Sequence, residues 1–308
     1  TEQFYWENVL IEHLDTLEMD INRQPEQQIY EFENLEELRR FDSRYQNHSD
    51  NTALELVSQV FEVPESEIHD IRCLKSGMTN KSFLFQLQGR HYICRIPGPG
   101  TELLINRKEE AEVYRTIQPL HISEHIIYMN GDTGYKIAEY YEGARNSRAD
   151  DWDDVAKCME LVQRLHNSGL TVAHEFNIRE RIAFYEGGTR FEDYAEVRSH
   201  MNELMDQLDA MQRPKVLSHI DSVADNFLFL PDGSMRLIDW EYAGMCDPLI
   251  DLSMCAIYSY YDEAATEKLM QIYFGREPET KERQILYSYI ALGGFLWALW
   301  AVYKASLG

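Results

Sequence analysis

The sequence is poor in basic residues, and this argues against several classes of partner. Its 308 residues include 29 Lys and Arg against 53 Asp and Glu, a formal net charge of −24. Nucleic-acid backbones are bound through clustered Lys and Arg, so this balance predicts no nucleic-acid partner. An anionic membrane surface would repel the chain, whereas a negative field of this size favours cationic ligands.

Cysteine is also scarce, and the sequence shows no leader or membrane span. The five cysteines are odd in number and form no C-x-x-C pair, which predicts free thiols in a reducing compartment rather than disulfides or a zinc site. No basic-then-apolar leader opens the chain. The most apolar run, Ile290 to Tyr303, is about 14 residues long, fewer than the ~20 that cross a bilayer. We therefore predict a cytoplasmic protein without a membrane segment.

Composition and turn residues predict the organisation of the chain. With 44% hydrophobic and 27% charged residues, it can bury a sizeable core. The turn-rich segment Asn47–Asn51 marks a boundary. We predict an N-terminal extension over 1–48, a small lobe over 49–140 and a larger lobe over 141–308.

Periodicity predicts a small sheet that carries few helices, followed by a mainly helical region with one hairpin. In the extension, apolar positions over 34–41 have helical spacing. The small lobe is predicted to contain a helix over 52–63, strands over 83–87 and 91–96 around the turn Gln88-Gly89-Arg90, a helix over 106–117, and strands over 126–128 and 135–140.

The hairpin in the larger lobe carries the predicted chemistry. Two apolar runs flank the turn Pro231-Asp232-Gly233, a strong hairpin signal. Counting outward from a turn centred between Asp232 and Gly233 pairs Asn226 with Asp239, and Asp221 lies just upstream. Hard oxygen ligands that converge at a strand end suit Mg²⁺. An Asp ahead of them can orient or deprotonate a substrate hydroxyl, as in kinase-like phosphoryl transfer.

The acidic and histidine neighbours of this hairpin have more than one interpretation. Glu241, two residues past Asp239, reaches a second metal or is a solvated surface acid. Asp247 and Asp251 are interpreted as helix caps and braces of the catalytic loop. His219 is interpreted as a structural hydrogen-bonding residue, since Asp221 already supplies the base.

The residues Leu237–Gly244, followed by Asp247-Pro248-x-x-Asp251-Leu252, resemble the choline/ethanolamine kinase family, part of the aminoglycoside-phosphotransferase-like branch of the protein-kinase fold. The resemblance runs from about residue 55 to the end. It includes a nucleotide loop at 77–83, a third strand at 94–98 and the start of the paired helix at 107–110. It implies an α+β, two-lobed protein-kinase-like fold, with a small sheet-containing N-lobe and a larger, mainly helical C-lobe.

The resemblance implies that ATP and Mg²⁺ bind between these lobes. Arg95 takes the place of the usual strand lysine on the ATP phosphates, held by Glu110, with Glu109 and Glu112 as neighbouring alternatives. The other interpretation of Arg95 is a solvent-facing strand residue. Further nucleotide contacts are implied for Thr79, Asn80, Glu139, Tyr140 and Tyr141, and metal contacts for Asn226, Asp239 and Glu241.

The segment 294–303 resembles the aromatic helix that lines the family's choline pocket. Trp297 and Trp300 are three residues apart and share a helical face, and Tyr258, Tyr260 and Tyr261 offer further rings, of which Tyr258 and Tyr261 are the predicted contacts. A quaternary ammonium group has no N–H, so ring faces and nearby negative charge recognise it. Aromatic residues at this helical spacing are also typical of a helix face that packs in the hydrophobic core. The implied reaction converts ATP and choline into ADP and phosphocholine, with Asp221 as the base.

Other functions stay open on sequence alone. The same fold can act on ethanolamine, an aminoglycoside or another small alcohol, because the charge of −24 suits any cationic substrate. A silent nucleotide-binding pseudokinase is a different class, although the intact Asp221, Asn226 and Asp239 argue against it. Residues 4–10 and 29–39 resemble the tail of a sugar- or choline-phosphate nucleotidyltransferase. This implies coupling to a cytidylyltransferase-type activity, or else an extension packed on the small lobe.

Overall fold

The computed structural model describes residues 35–47, 49, 51–74, 80–98, 101, 104–187 and 193–306. The chain divides into two compact units, Thr1–Gln46 and Asn47–Gly308. In the first unit, helix α1 spans Leu35–Phe41 and a short 3₁₀ turn follows over Ser43–Tyr45. The nucleotidyltransferase-like residues before position 35 lie outside the described residues, and the division at residues 48 and 140 stays a prediction.

The small lobe of the second unit is a five-stranded antiparallel sheet with two helices. The strand order is β1-β2-β3-β5-β4. The strands are β1 His69–Cys73, β2 Asn80–Leu87, β3 Arg90–Pro97, β4 Ile126–Met129 and β5 Lys136–Glu139. Helix α2 spans Thr52–Phe61 and α3 spans Arg107–Ile117. Each begins where the side chain of an asparagine, Asn51 or Asn106, accepts backbone N–H groups of the first turn.

The β2–β3 hairpin forms as its sequence predicts, because its signals are local. Gln88 and Gly89 both have positive φ, 51° and 76°, as a two-residue type I′ turn requires. Arg90 begins β3 instead of belonging to the turn, and it pairs with Leu87. This register places Cys94 on the buried face and sets Arg95 at the end of the strand that faces α3.

The large lobe is mainly helical and confirms the α+β two-lobed class. Its helices are α4 Trp152–His166, α5 Ile178–Tyr185, α6 Tyr194–Ala210, α7 Leu249–Tyr258, α8 Glu263–Phe274 and α9 Thr280–Ser306. Its short strands are β6 Arg145–Asn146, β7 Val216–Ser218, β8 Phe227–Phe229, β9 Met235–Leu237 and β10 Gly244–Cys246. They form two small antiparallel sheets, β6-β8-β9 and β7-β10.

Helix α9 is longer and more apolar than the sequence count predicted. Over Thr280–Ala305 it is long and apolar enough to cross a membrane, with a mean hydropathy of 1.7 in its most apolar window. Half of that window is buried inside the fold, where α9 packs on α5, α6 and α7. A Cβ added at Gly293 would lie 2.7 Å from Ile257 Cδ1, so glycine lets α9 approach α7 closely. The apolar residues of α9 thus serve helix packing in this fold.

Candidate active site

The catalytic hairpin has a register one residue away from the predicted one. Phe227 pairs with Leu237, and the Ile238 N–H donates to the Asn226 carbonyl at 2.9 Å, so Asn226 lies opposite Ile238 and not Asp239. The reason is the turn: Leu230 pairs with Ser234 around three loop residues, and Gly233 has φ +84°. A three-residue loop that ends in a left-handed glycine replaces the two-residue turn assumed in the count.

Asp239 reaches the site through its backbone conformation. Its φ is +67°, which is rare for a residue with a side chain and costs about 1–3 kcal/mol. The turned carboxylate lies close enough to Asp221 and Glu241 for its charge to raise the pKa of both, after the larger effect of burial. Asp221 and Asp239 therefore lie close together, as predicted. The backbone turn at Asp239 brings them together, and strand pairing does not.

Asp221 lies in a recess at the start of the hairpin and contacts Asn226. The Asn226 Nδ2 donates to Asp221 Oδ2 at 2.9 Å and to the Asp221 carbonyl at 2.8 Å. Burial, and then the charge of Asp239, raise the pKa of Asp221 to about 7, while the Asn226 hydrogen bond opposes the rise. A carboxyl group that titrates near neutral pH is suited to accept a proton from a substrate hydroxyl.

Asp251 fixes the backbone of the catalytic loop through hydrogen bonds. It is fully buried and accepts the backbone N–H groups of His219 at 3.0 Å and Ile220 at 2.5 Å. Its Oδ2 is 2.8 Å from His166 Nε2. Burial favours the neutral carboxyl group, but these hydrogen bonds outweigh it and lower the pKa of Asp251. The ionised side chain thus supports the strained Ile220, whose φ is +73°, one residue before Asp221.

His219 and Asp247 have the structural positions that the sequence indicated. The buried His219 ring lies with Nε2 3.0 Å from the Ile238 carbonyl and packs on Trp240. Asp247 accepts the Leu249 N–H at 3.0 Å, at the start of α7, and pairs with Arg213 at 2.7 Å. His219 thus holds the segment after β9, and Asp247 holds the start of α7.

Arg95 forms a buried ion pair with Glu110 of α3. Its two terminal nitrogens contact the two Glu110 carboxylate oxygens, and Nη2 also donates to the Gly134 carbonyl at 3.1 Å. The side chain is 4% exposed, so the solvent-facing interpretation is wrong. Glu112 instead accepts the Ala173 N–H of the large lobe at 3.1 Å. Within the described part of the chain, the buried Arg95 Nε has no hydrogen-bond partner.

Sequence reasoning missed Arg107, which connects the two lobes. Its Nη1 lies 3.0 Å from Glu110 Oε2 and 3.2 Å from Glu241 Oε2, and its Nη2 donates to Asn80 Oδ1 at 2.8 Å. Asn80 Nδ2 in turn donates to Glu241 Oε2 at 2.9 Å. Glu241 is buried, so it is not the solvated surface acid that was one of its two interpretations. No local signal joins residues 80, 107 and 241 in the sequence.

A narrow cavity of about 20 Å³ lies beside Asp221. Its wall is lined by Phe176, Arg181, Tyr185, Ile220, Asp221, Tyr242, Met254, Leu296, Trp297 and Trp300. Both predicted tryptophans are in this wall. Tyr185 and Tyr242 were missed, because they come from α5 and from the segment after β9, far from each other in sequence.

The two predicted pocket tyrosines are placed differently. The Tyr258 ring meets Trp297 edge-on, with centroids 5.2 Å apart, and so supports the wall from outside the lining. Tyr261 points elsewhere: its hydroxyl donates to the Ala149 carbonyl at 2.5 Å and its ring packs on Trp152. The prediction that Tyr261 lines the acceptor pocket is therefore wrong, because α7 ends at Tyr258 and the chain turns before residue 261.

The predicted nucleotide contacts at the hinge stay a prediction. The N–H of Glu139 donates to the His125 carbonyl and that of Tyr140 to the His91 carbonyl, both at 3.0 Å, so these two N–H groups are already engaged. The Tyr141 hydroxyl accepts the His125 N–H at 3.0 Å. Thr79 lies outside the described residues. Asn80 is hydrogen-bonded to Arg107 and Glu241.

The carboxylates around Asp239 fit a divalent cation that is shared with a nucleotide. Among the described residues, no group of three or more His, Cys, Asp or Glu side chains forms a metal cage. Mg²⁺ in phosphoryl-transfer sites takes one or two carboxylates, with phosphates and waters for the rest. The charge of Asp239 disfavours the ionisation of both Asp221 and Glu241, and a cation would relieve that repulsion.

Comparisons with known proteins agree with this geometry. Residues 70–283 match the phosphotransferase enzyme family (APH). Protein LicA of Haemophilus influenzae is 26% identical over 256 residues, covering 75% of this chain and 73% of its own. The structure of choline kinase LicA from Streptococcus pneumoniae has a TM-score of 0.74 and 28% identity, covering 85% of this chain and 92% of that one. LicA in complex with AMP has a TM-score of 0.66 and 28% identity, covering 78% and 86%.

These relatives support nucleotide use and a small alcohol as acceptor, but not the predicted coupling to a cytidylyltransferase. The family match covers well over half of the chain. The chain therefore belongs to the phosphotransferase enzyme family and has the protein-kinase-like fold of the choline kinases.

Proposed function

We propose that this phosphotransferase transfers the γ-phosphoryl group of ATP to the hydroxyl of choline, giving phosphocholine and ADP. The observation that carries the proposal is one cavity whose wall contains both Asp221 and the indoles of Trp297 and Trp300. An acceptor held by the indoles would present its hydroxyl to the carboxylate.

The lining of the cavity suits a quaternary ammonium group. The rings of Trp297 and Trp300 are 5.3 Å apart and nearly perpendicular. The Trp297 N–H points to the Met254 sulfur at 3.3 Å, so its ring face is the part left for a ligand. Ring faces attract a cation that has no N–H to donate, and the acidic chain gathers cations around it.

In the proposed reaction, Asp221 accepts the proton of the choline hydroxyl as its oxygen forms a bond to the γ-phosphorus. The bond from that phosphorus to the β–γ bridging oxygen breaks, and ADP leaves. Asn226 orients Asp221, and Arg95, held by Glu110, binds phosphate oxygens. Asn226, Asp239 and Glu241 are the residues that would hold Mg²⁺. The bound ion would neutralise phosphate charge.

The test is ADP release from Mg–ATP with choline, ethanolamine, kanamycin or no acceptor. We expect choline to give the highest kcat/KM and the reaction without acceptor to be slow. A higher value for ethanolamine or kanamycin would contradict the choice of choline while leaving a phosphotransferase. Bound ATP without turnover on any acceptor would favour the pseudokinase alternative.

Trp297→Leu is expected to raise the KM for choline by about 10- to 30-fold, because a cation–π contact in a desolvated site contributes about 2 kcal/mol. The kcat should change much less, since the ring holds the ammonium end of the acceptor. Trp152→Leu is the matched control, because Trp152 packs on Tyr261 outside the cavity. Equal KM values for the two variants would contradict an indole contact with the acceptor.

Arg95→Met is expected to raise the KM for ATP by about 10- to 100-fold, the range that follows from losing hydrogen bonds to charged phosphate oxygens, at about 1.5–3 kcal/mol. Arg90→Met is the control on the same strand, since its side chain is 72% exposed. The KM for choline is measured alongside. An unchanged KM for ATP in a folded Arg95→Met protein would show that Arg95 is only structural.

A further inference from the structure

Arg107 contacts carboxylates of both lobes. It is the first residue of α3, and its Nη1 lies 3.0 Å from Glu110 in the small lobe and 3.2 Å from Glu241 in the large lobe. Glu110 also receives Arg95. Four side chains that alternate between basic and acidic therefore run from the predicted phosphate-binding strand to the segment after β9: Arg95, Glu110, Arg107 and Glu241.

Burial strengthens this row of charges. Glu110 is 1% exposed, and Arg107 and Glu241 are 8% exposed, so water screens their interactions poorly. Burial alone would raise the pKa of Glu110, yet Arg95 and Arg107 are among the groups that lower it overall. Glu110 thus stays ionised between the two guanidinium groups. A displacement of one guanidinium group therefore changes the electrostatic interaction of Glu110 with the other.

The position of Arg107 is held by its neighbours. Gly134 has φ +75°, and a Cβ there would lie 2.9 Å from Arg107 Cγ. The carbonyl of the same Gly134 accepts Arg95 Nη2. Gly134 therefore packs on the aliphatic part of the Arg107 side chain and accepts a hydrogen bond from the Arg95 guanidinium group. The two arginines are thus positioned by the same residue.

The far end of the row borders the acceptor cavity. Glu241 precedes Tyr242, which lines that cavity beside Asp221. Tyr185 lines it too, and the charge of Glu241 acts on the Tyr185 hydroxyl. A change in the position of Glu241 thus alters the wall that meets the acceptor.

We infer that Arg107 is a positioning residue that couples the two substrate sites, so that nucleotide on the Arg95 side and acceptor in the cavity each tighten the binding of the other. This inference rests on the proposed function, because it needs an acceptor in the cavity beside Asp221. Coupling of this kind is reciprocal.

The test measures the Kd of choline by calorimetry with and without saturating Mg–ADP. If the ADP-release experiment selects another acceptor from its panel, that acceptor replaces choline. In the wild-type protein we expect Mg–ADP to tighten acceptor binding at least ~5-fold, the lower end of typical coupling. In Arg107→Met the ratio should fall to about one, whatever the Kd of the acceptor alone.

Two further variants separate coupling from general damage. Arg107→Lys keeps the charge but not the planar fork that reaches two carboxylates, so its ratio should be intermediate, even if Arg107→Met folds poorly. Arg115→Met, on the exposed side of α3, should keep the full wild-type ratio. A purely structural Arg107 would instead weaken nucleotide and acceptor binding separately and leave their ratio intact.

The outcomes separate this inference from the proposed function. A wild-type ratio of one, or a wild-type ratio retained in both Arg107 variants, overturns the coupling while turnover on choline stands. Absence of turnover on every acceptor overturns both. A ratio lost in Arg107→Met, reduced in Arg107→Lys and kept in Arg115→Met supports the coupling.

Discussion

Asp221→Asn is expected to lower kcat by about 10²- to 10⁴-fold, the usual contribution of a positioned general base, while the Kd of Mg–ADP changes little. The substitution keeps the size of the side chain and removes its negative charge and its ability to accept a proton. ADP release under saturating substrates and calorimetry of Mg–ADP measure the two quantities.

Asp225→Asn is the matched control for this variant, because Asp225 lies four residues on in the same loop but is exposed. It should retain wild-type kcat. Substantial turnover by Asp221→Asn would assign the base to another residue and remove the central role proposed for this loop.

The pH profile provides a second measurement on the same carboxyl group. Burial and the charge of Asp239 raise the pKa of Asp221 to about 7, so the base is protonated below that pH in the free enzyme. The kcat/KM for the acceptor should therefore increase with pH and then level off, with a midpoint at about 7 or lower, because Mg²⁺ held by Asp239 would favour the ionised carboxylate. A profile that is flat from pH 5 to 8 would contradict the raised pKa of Asp221 or its role as base.

Asp251→Ala is expected to lower the free energy of unfolding by about 3–5 kcal/mol, the usual result of removing one partner from a buried charged network. Two backbone N–H groups, of His219 and Ile220, and the imidazole of His166 would lose their acceptor. Urea unfolding followed by circular dichroism measures the change.

Asp262→Ala is the control for this prediction. Asp262 accepts only the Ala265 N–H at the exposed start of α8, and loss of such a cap costs about 1 kcal/mol. Equal destabilisation by the two substitutions would show that the catalytic loop does not depend on Asp251.

The effect of Asp251 should depend on pH. Its pKa is lowered in the folded protein, so its contribution to stability is fully present above the unfolded pKa of about 3.9 and is lost as the pH falls toward the folded value. The difference in unfolding free energy between wild type and Asp251→Asn should therefore be largest near neutral pH and shrink below about pH 4. An increasing difference in acid would contradict this sign.

Local signals predicted the elements of the fold well. The caps Asn51 and Asn106 and the Gln88-Gly89 turn act within a few residues, so they are readable without tertiary contacts. The spacing of Asp221, Asn226 and Asp239 pointed to phosphoryl transfer for the same reason. The error of one residue in the hairpin register came from assuming a turn length, which residue identity alone does not determine.

The sequence by itself determined the catalytic loop and hairpin and the aromatic face of α9, because each depends on nearby residues and periodic patterns, and its family resemblance implied the two-lobed kinase-like class. Only the tertiary structure decided that Glu110 meets Arg95, that Arg107 joins Glu110 to Glu241, that Tyr185 and Tyr242 line the cavity, and that Tyr261 does not. These contacts join residues up to 134 positions apart, and their partners are selected by how α3, the hairpin and α9 pack in space.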